Sequence, residues 1–185
     1  MNKTILFATG NSRKIAEARK SFLQYGIGVV TVEVNTDEIQ HHDSREITKA
    51  KALAAFAVTG EPVVVQDTSW NIPALGGFPG GYMKDVANWW QTDDWLRIME
   101  GTDRRIICIE HVAYCDKDGV VHFSAEFPGL IAKESHGRSS SSIEKVAKLY
   151  GSDKTLAQMN DSSEIAYTTG GLEHWQKFAT WYRDR

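Results

Sequence analysis

A β-branched run that ends on a carboxylate most constrains how this chain folds. Residues 63–65 are three consecutive valines, Gln66 and Asp67 follow, and a Gly/Pro-rich stretch covers residues 74–80. Such a run predicts a buried strand, and the loop after it leaves space beside the strand end. Because a strand end fixes the position of a side chain, Asp67 is a candidate catalytic or metal-binding acid. The alternative is an aspartate that merely begins a turn.

A second strand and turn lie near the N-terminus. Residues 4–8 form an apolar run, residues 9–12 read Thr-Gly-Asn-Ser, and a helix is predicted from about residue 12. A helix N-terminus attracts anions, because its first amide groups lack partners within the helix and its dipole is positive there. Lys14 adds a positive charge in the first turn. The pattern is not a P-loop, which requires more glycines and a Lys-Ser/Thr pair.

Together the two segments resemble the inosine triphosphate pyrophosphatase family, the non-canonical purine nucleoside triphosphate pyrophosphatases. The first family motif reads Thr-Gly-Asn-x-x-Lys-x-x-Glu, and the second is an acidic strand end followed by Ala-Leu-x-Gly-x-Pro-Gly. The matching residues are Thr9, Gly10, Asn11, Lys14 and Glu17 in the first motif, and Asp67, Ala74, Leu75, Gly77, Pro79 and Gly80 in the second. The resemblance extends from residue 4 to about residue 132 and is poor beyond.

The predicted elements alternate at first and then form a hairpin. Strands are expected near residues 4–8, 28–34, 63–67, 106–115 and 120–127, and helices near residues 12–25, 44–59, 83–99, 142–150 and 171–183. This order predicts an α/β fold in which helices flank a mixed sheet. The family resemblance implies a long curved sheet with two lobes around a central cleft. We expect a single domain over residues 1–185.

Composition excludes several classes of protein. A hydrophobic content of 42% and a charged content of 24% are typical of a soluble globular protein. The net charge of −3 argues against a nucleic-acid partner. No apolar run long enough for a membrane span, and no leader, is visible, so we expect a cytoplasmic protein without a membrane partner.

The two cysteines, Cys108 and Cys115, lie seven residues apart in one predicted strand. They point to opposite faces and do not bridge each other. Adding His111 does not produce a zinc site, because the strand spreads the three side chains too far apart. We expect reduced cysteines in the core.

Two further residues gain a role from their placement. Lys51 lies inside the apolar stripe of the helix over residues 44–59, so its side chain either snorkels to solvent or faces a polar cleft. The resemblance places a triphosphate-binding lysine in this helix, which matches Lys51, and a metal-binding glutamate after the second strand, which matches Glu38. The neighbouring His41, His42 and Asp43 are an alternative metal cluster, although consecutive histidines on a polar loop are more often solvated.

The resemblance implies hydrolysis of a nucleoside triphosphate to a nucleoside monophosphate and pyrophosphate. Glu38 and Asp67 supply hard oxygen ligands for Mg²⁺, or for Mn²⁺. Asp67 is expected to hold the metal and to orient or deprotonate the attacking water, and Lys14 and Lys51 to neutralise the triphosphate. These three residues form the expected catalytic set. The expected substrate contacts are Thr9, Gly10, Asn11, Lys14, Lys51, Thr68, Ser69 and Lys84, of which Lys84 is also readable as an ordinary surface lysine.

The C-terminal third departs from the family pattern. Alignment on residues 155–159 places Glu164 at the family's base-reading lysine and residues 168–170, Thr-Thr-Gly, at its Ser-His-Arg motif. The family's stacking aromatic residue is replaced by residues 140–145. Without these polar groups we expect weak or no preference for inosine triphosphate, and acceptance of an amino-bearing or otherwise modified base.

Local signals in this third suggest other structure. Ser141 and Glu144 read as a capping box that begins a helix. His136 and Arg138 precede it and are candidates for contact with an anion or a base edge, while a flexible serine-rich loop is the alternative.

Two other classes of function remain open from the sequence. One is a nucleotide-binding or sensing protein that does not turn its ligand over. The other is a dimeric scaffold whose interface is the helix bearing Trp89, Trp90 and Trp95. We expect a homodimer in any case, weakened most by Trp90→Ala.

Overall fold

The computed structural model describes residues 3–35, 37–149, 151–162 and 172–185. Within them, seven strands form one sheet in the order β2-β1-β3-β5-β6-β7, and β4 pairs with β3. The strands are β1 Lys3–Ala8, β2 Ile27–Val32, β3 Val63–Asn71, β4 Pro79–Gly80, β5 Arg105–Asp116, β6 Gly119–Ile131 and β7 Ala147–Leu149. The helices are α1 Ser12–Leu23, α2 Ser44–Thr59, α3 Met83–Trp89, α4 Thr92–Ile98, α5 Leu156–Asp161 and α6 Glu173–Arg183.

The sheet is mixed in direction. β1 pairs parallel with both β2 and β3, whereas the pairs β3–β4 and β6–β7 are antiparallel. The first two parallel connections are made through α1 and α2, as the alternating pattern predicted. The predicted α/β class with helices on a mixed sheet is confirmed.

The helix predicted over residues 83–99 is two helices, so that prediction is wrong in detail. α3 ends before Trp90, whose backbone is extended, and α4 begins after Gln91. The Asp94 carboxylate accepts a hydrogen bond from the backbone amide of Gln91 at 2.8 Å, and the Gln91 side chain completes a capping box. This reciprocal cap stabilises a new helix start, which competes with continuation of α3.

The helix predicted over residues 142–150 is wrong as well. A 3-10 turn, Ile143–Lys145, leads into β7. The Glu144 carboxylate, expected to cap a helix, accepts a hydrogen bond from the Ser139 hydroxyl at 2.6 Å instead. Pairing of β7 with β6 brings the backbone very close to Gly129, where no side chain would fit. Long-range strand pairing therefore overrides the local helix signal.

The chain divides into two compact units. The first comprises the described residues up to Thr68, those from Glu110 to Ala125 and those from Leu172 to Arg185. The second comprises Ser69–Ile109 and the described residues from Glu126 onward to residue 162. The expectation of one domain over residues 1–185 stays a prediction.

Each unit has its own buried core. In the first, Trp175 is fully buried and makes edge contacts with Phe7 and Phe22. In the second, Trp95 is fully buried and its indole N–H donates to the Ser142 hydroxyl at 2.9 Å. Aromatic packing stabilises both units through large buried areas.

The cysteine prediction is confirmed, since Cys108 and Cys115 are both buried and both are reduced thiols. Of the helices that the structure describes, none has the length and apolar character needed to cross a bilayer.

Candidate active site

Asp67 lies inside β3 rather than at its end. β3 continues to Asn71, four residues beyond the predicted boundary. The neighbouring strand β1 pairs with β3 only as far as Phe7 opposite Val64, and the chain then turns into α1. Asp67 is partly exposed because β1 ends beside it. The sequence analysis also expected an accessible carboxylate, but attributed it to the end of β3.

The turn before α1 is organised by Asn11. Its side-chain oxygen accepts hydrogen bonds from the backbone amides of Arg13 at 3.0 Å and Lys14 at 3.2 Å. Its own backbone amide donates to the Thr9 hydroxyl at 3.1 Å. These are the bonds of a helix N-cap. Three of the donors expected to meet an anion are thus used within the turn, and contact of Thr9 and Asn11 with substrate stays a prediction.

Gly10 has a local reason to be glycine. A β-carbon at this position would lie 3.2 Å from the Glu33 carboxylate oxygen Oε1, closer than almost all real contacts of that kind. The turn therefore packs closely against an acidic side chain that follows β2. A role for Gly10 in binding phosphate stays a prediction.

The Lys14 side chain reaches from α1 to β3. It is partly buried, and its Nζ donates to the backbone carbonyl of Gln66 at 3.3 Å, next to Asp67. Burial lowers the pKa of Lys14, while the negative charges of Glu110 and Asp67 oppose that shift. The structure thus places the predicted phosphate-binding lysine in the electrostatic field of the predicted catalytic acid.

Lys51 faces an acid. Its Nζ lies 2.8 Å from Glu38 Oε1, and each side chain is 25% exposed. This geometry favours the polar environment for Lys51 over the snorkelling alternative. The positive charge of Lys51 also acts on Lys14. The four predicted residues Lys14, Lys51, Glu38 and Asp67 all belong to the first unit.

Glu110 is a site residue that sequence reasoning missed. It is fully buried on β5, and its Oε2 accepts hydrogen bonds from Thr68 Oγ1 at 2.8 Å and Gln66 Nε2 at 2.9 Å. The available signal was a glutamate inside an apolar strand, because a buried carboxylate requires partners. The structure shows that those partners flank Asp67.

His174 joins the same network from α6. Its Nε2 lies 3.3 Å from Gln66 Nε2. Burial lowers the pKa of His174 to about 4, so the ring is neutral and Nε2 accepts the amide hydrogen. The sequence offered no motif that marked this histidine.

A histidine pair lies near the same strands. Nδ1 of His111 and Nε2 of His122 are 3.2 Å apart. Burial lowers the pKa of both, that of His122 to about 4, so both rings are neutral near pH 7. The Asp67 charge acts on His111.

The alternative metal cluster at His41, His42 and Asp43 has another arrangement. The two rings contact each other at 4.3 Å between centroids with a tilt of 31°, and His41 Nδ1 accepts from the Asp43 amide at 3.0 Å. Across the part of the chain that the structure describes, no three His, Cys, Asp or Glu side chains are grouped to hold a metal ion.

The donor set suits a hard cation that needs few protein ligands. Glu38 and Asp67 both present carboxylate oxygens, and Mg²⁺ is commonly held by one or two carboxylates together with waters and phosphate oxygens. One oxygen of Glu38 is engaged by Lys51, and Asp67 Oδ1 accepts from the Thr68 amide at 3.0 Å. The residues present therefore fit Mg²⁺ or Mn²⁺ with a largely water- and substrate-supplied shell.

The remaining predicted contacts belong to the second unit. Ser69 is buried, and Lys84 is an exposed residue on α3. Their assignment to the substrate stays a prediction. The positions aligned with the family's base-reading groups, Glu164 and residues 168–170, lie outside the described residues.

The candidates at residues 136–138 are tied to α5. The Arg138 amide donates to the Asp161 carboxylate at 2.9 Å, and the His136 carbonyl accepts from the Thr155 hydroxyl at 2.9 Å. Both candidate side chains are exposed. Their role with an anion or a base stays a prediction.

Comparison with known proteins identifies the family. A model of the Ham1 family matches residues 5–168, and the chain belongs to this family. It is 34% identical over 184 residues to a dITP/XTP pyrophosphatase of Methanopyrus kandleri, covering 97% of this chain and 96% of that protein. It is 30% identical over 166 residues to inosine triphosphate pyrophosphatase 1 of Trypanosoma cruzi, covering 88% and 84%.

The solved structures agree on the fold. A HAM1 protein from Coxiella burnetii superimposes with a TM-score of 0.77 at 19% identity, over 99% of this chain and all of that one. The family resemblance expected from the two motifs is confirmed. The family match also continues beyond residue 132, where the motif comparison ended.

Proposed function

We propose that this chain hydrolyses a nucleoside triphosphate to a nucleoside monophosphate and pyrophosphate. The observation that carries the proposal is the grouping of Lys14 with Asp67, Glu110 and Lys51 around the end of β1. Relatives named as dITP/XTP and inosine triphosphate pyrophosphatases support this class of reaction. The names of these relatives agree with the expectation that the chain is an enzyme of this class.

Lys14 is suited to the triphosphate. Its ammonium group is partly desolvated and donates to a neutral carbonyl at 3.3 Å. Exchange of that partner for a phosphate oxygen would create a shorter, charge-assisted bond. Lys51 adds a second positive charge, provided that the anion competes with Glu38 for its ammonium group. Because phosphoryl transfer depends mainly on charge stabilisation, two such lysines supply a central requirement.

Asp67 is suited to orient and deprotonate the attacking water. The Thr68 amide donates to its Oδ1, which holds the carboxylate in one orientation. Glu38 and Asp67 would hold Mg²⁺ or Mn²⁺, and the bound cation would supply further positive charge to the phosphate oxygens. General-base positioning by a fixed carboxylate contributes roughly 10²–10⁴-fold to such rates.

We further propose a non-canonical nucleotide as the substrate. The names of the relatives specify inosine or xanthosine nucleotides, whereas the aligned C-terminal positions predict a base pocket of different polarity. The names of the relatives point away from the common nucleotides, whereas an acid in the pocket favours a base that carries an exocyclic amine. The two differ on which modified base is preferred, and a substrate panel separates them.

The test is pyrophosphate release from a panel of canonical and modified nucleoside triphosphates with Mg²⁺. We expect turnover of at least one modified nucleotide, loss of turnover on chelation, and a KM raised about tenfold or more by Lys14→Ala. The matched control is Lys49→Ala, which removes a partly exposed lysine of α2 that pairs with Glu46 at 3.0 Å. Tight nucleotide binding without any pyrophosphate release would support the non-catalytic alternative and overturn the proposal.

We also propose a homodimer in the cytoplasm. Trp89 is 72% exposed, whereas Trp95 is buried and Trp90 packs on Phe78 and Trp95. The structure therefore favours Trp89→Ala over Trp90→Ala as the change that weakens association, since loss of Trp90 removes packing inside the unit. Sedimentation of the parental protein as a monomer at micromolar concentration would contradict the dimer.

A further inference from the structure

Glu110 makes contact with both neighbours of the predicted catalytic acid. Gln66 and Thr68, which precede and follow Asp67 on β3, donate to the same Glu110 oxygen. Side chains alternate along a strand, so these two residues share one face and Asp67 points to the other. A single buried carboxylate on β5 therefore fixes which face of β3 presents Asp67.

Thr68 transmits this constraint. Its hydroxyl donates to Glu110, and its backbone amide donates to Asp67 Oδ1. Both of its hydrogen-bond donors are thus used within the protein, and the hydroxyl retains only acceptor capacity for a ligand. In this geometry Thr68 is better placed to orient Asp67 than to donate to a phosphate oxygen.

Lys14 reaches the same network from α1. Its Nζ donates to the backbone carbonyl of Gln66, whose side chain donates to Glu110, and the negative charge of Glu110 opposes the lowering of the Lys14 pKa by burial. A buried carboxylate is stable only with hydrogen bonds and a counter-charge, and here it has both. Glu110 therefore connects the predicted phosphate-binding lysine with the predicted catalytic acid.

We propose that Glu110 is a positioning residue for hydrolysis, orienting Asp67 through Thr68 and holding the ammonium group of Lys14 beside it. The inference rests on the proposed pyrophosphatase function. It assigns no direct contact with substrate to Glu110. Two separable effects follow, one on the chemical step and one on binding.

The binding effect is isolated by Glu110→Gln. The amide oxygen of glutamine replaces Oε2 and keeps both hydrogen bonds, while the charge that holds Lys14 is lost. We expect KM to rise about tenfold and kcat to change by less than about threefold. Glu46→Gln is the matched control, because it removes a partly exposed carboxylate of the same unit whose partner is Lys49.

The chemical effect is isolated by Thr68→Val, which keeps the shape and removes the hydroxyl donor. We expect kcat to fall about tenfold with KM within twofold, and Thr68→Ser to restore kcat. A residue with only a structural role would lower stability in these variants without producing this division between kcat and KM. Thermal unfolding measured alongside identifies any general loss of folding.

Calorimetry of Mg²⁺-tripolyphosphate binding to the parental protein and the variants gives an affinity that does not depend on turnover. We expect Glu110→Gln to weaken this affinity about tenfold and Thr68→Val to leave it unchanged. An inactive parental protein would contradict the proposed function, and with it the proposed role of Glu110 in orienting Asp67. The calorimetric affinities would still decide whether Glu110 holds Lys14. Parental KM and affinity in Glu110→Gln, equal effects of Glu46→Gln, or no binding by the parent would each overturn the inference.

Discussion

The two units of the molecule bury different kinds of polar group. Among the described residues, the first unit buries four acidic or histidine side chains, and the buried polar side chains of the second are hydroxyls. The first set is Glu17, Glu110, His111 and His174, and the second is Ser69, Ser142 and Thr155. Ionisable groups lose hydration when buried and cost far more free energy than hydroxyls do.

This difference indicates which side chains each unit stabilises in its interior. In the first unit, buried acids lie around Lys14 and the residues that flank Asp67. In the second, the described core is held by aromatic packing and by hydroxyl bonds such as that from Trp95 to Ser142. We therefore expect substitutions in the first unit to change activity and pH dependence, and comparable substitutions in the second to change stability.

The largest expected effect is the loss of activity in Asp67→Asn. Asparagine keeps the shape of the side chain and removes its negative charge, so kcat should fall roughly 10²–10⁴-fold while the fold is kept. Pyrophosphate release at saturating substrate, with circular dichroism to check folding, measures this. Asp94→Asn in the second unit is the control and should retain kcat, since Asp94 caps α4. Near-parental turnover in Asp67→Asn would show that another group performs the chemistry.

The second effect is a pH dependence of stability that originates at Glu17. Burial raises the pKa of Glu17 to about 7 from an ordinary 4.5, although Arg13, at 3.1 Å from its Oε1, opposes the shift. The folded state therefore binds a proton that the unfolded state has released between these two values. By linkage, this group makes the folded state less stable as pH rises from about 4.5 to about 7.

Glu17→Gln should remove that decline. A shift of this size corresponds to about 3 kcal/mol in the free energy of unfolding, at about 1.4 kcal/mol per unit. Urea titrations at pH 5 and pH 8 measure the difference, which should be smaller in Glu17→Gln than in the parent by roughly that amount. Glu46→Gln, which changes a partly exposed carboxylate, should behave as the parent does. Equal pH dependence in all three proteins would mean that Glu17 is ionised in the folded state.

The third effect tests the second unit. Trp95→Phe removes the indole N–H and leaves the buried Ser142 hydroxyl without that donor. We expect a loss of about 2 kcal/mol in the free energy of unfolding, from an unmet hydrogen bond and reduced packing. The parental kcat should remain at a temperature where the variant is folded. A large fall in kcat without a change in stability would contradict the hypothesis that the second unit contributes to stability and the first to activity.

Local motifs in the sequence were enough to locate part of the site. Thr9 to Lys14 form a turn and helix start whose signals lie within a few residues, and α2 spans the range predicted for it. Gly60, which ends α2, adopts the left-handed conformation that favours glycine. Such features are predictable because the groups that stabilise them are neighbours along the chain.

Long-range contacts were not predictable in this way. Glu110 meets Thr68 across 42 positions of sequence, and no spacing rule connects them. The strand β7 is formed because it pairs with β6, although its local residues resemble a helix start. The break between α3 and α4 depends on one reciprocal cap between Gln91 and Asp94. The spacing of the apolar residues does not reveal this cap, because it is compatible with one continuous helix. Each miss is a case in which a tertiary contact or a single cap outweighs local propensity.

The smallest expected effect concerns selection of the base. Selectivity for a 6-oxo purine over adenine requires polar groups aimed at the six-position, because an unpaired buried partner costs roughly 1–3 kcal/mol. The aligned sequence places Glu164 where the family has a lysine. An acid would accept a hydrogen bond from an exocyclic amine and repel a carbonyl. We therefore expect kcat/KM for inosine triphosphate to exceed that for adenosine triphosphate by less than about tenfold, with an amino-bearing base accepted at least as well.

The matched measurement is kcat/KM for inosine, xanthosine, adenosine and 2-aminoadenosine triphosphates, in the parent and in Glu164→Lys. Lysine supplies the donor that a 6-oxo group accepts, so this variant should shift the preference toward inosine triphosphate. Strong selectivity of the parent for inosine and xanthosine triphosphates would agree with the names of its relatives and contradict the alignment of residues 155–170. The base would then be read by other side chains, with Arg138 and His136, both exposed, the first to replace by alanine. That outcome would also change the comparison between the units, because the second would then supply selectivity through exposed side chains and not through buried ones.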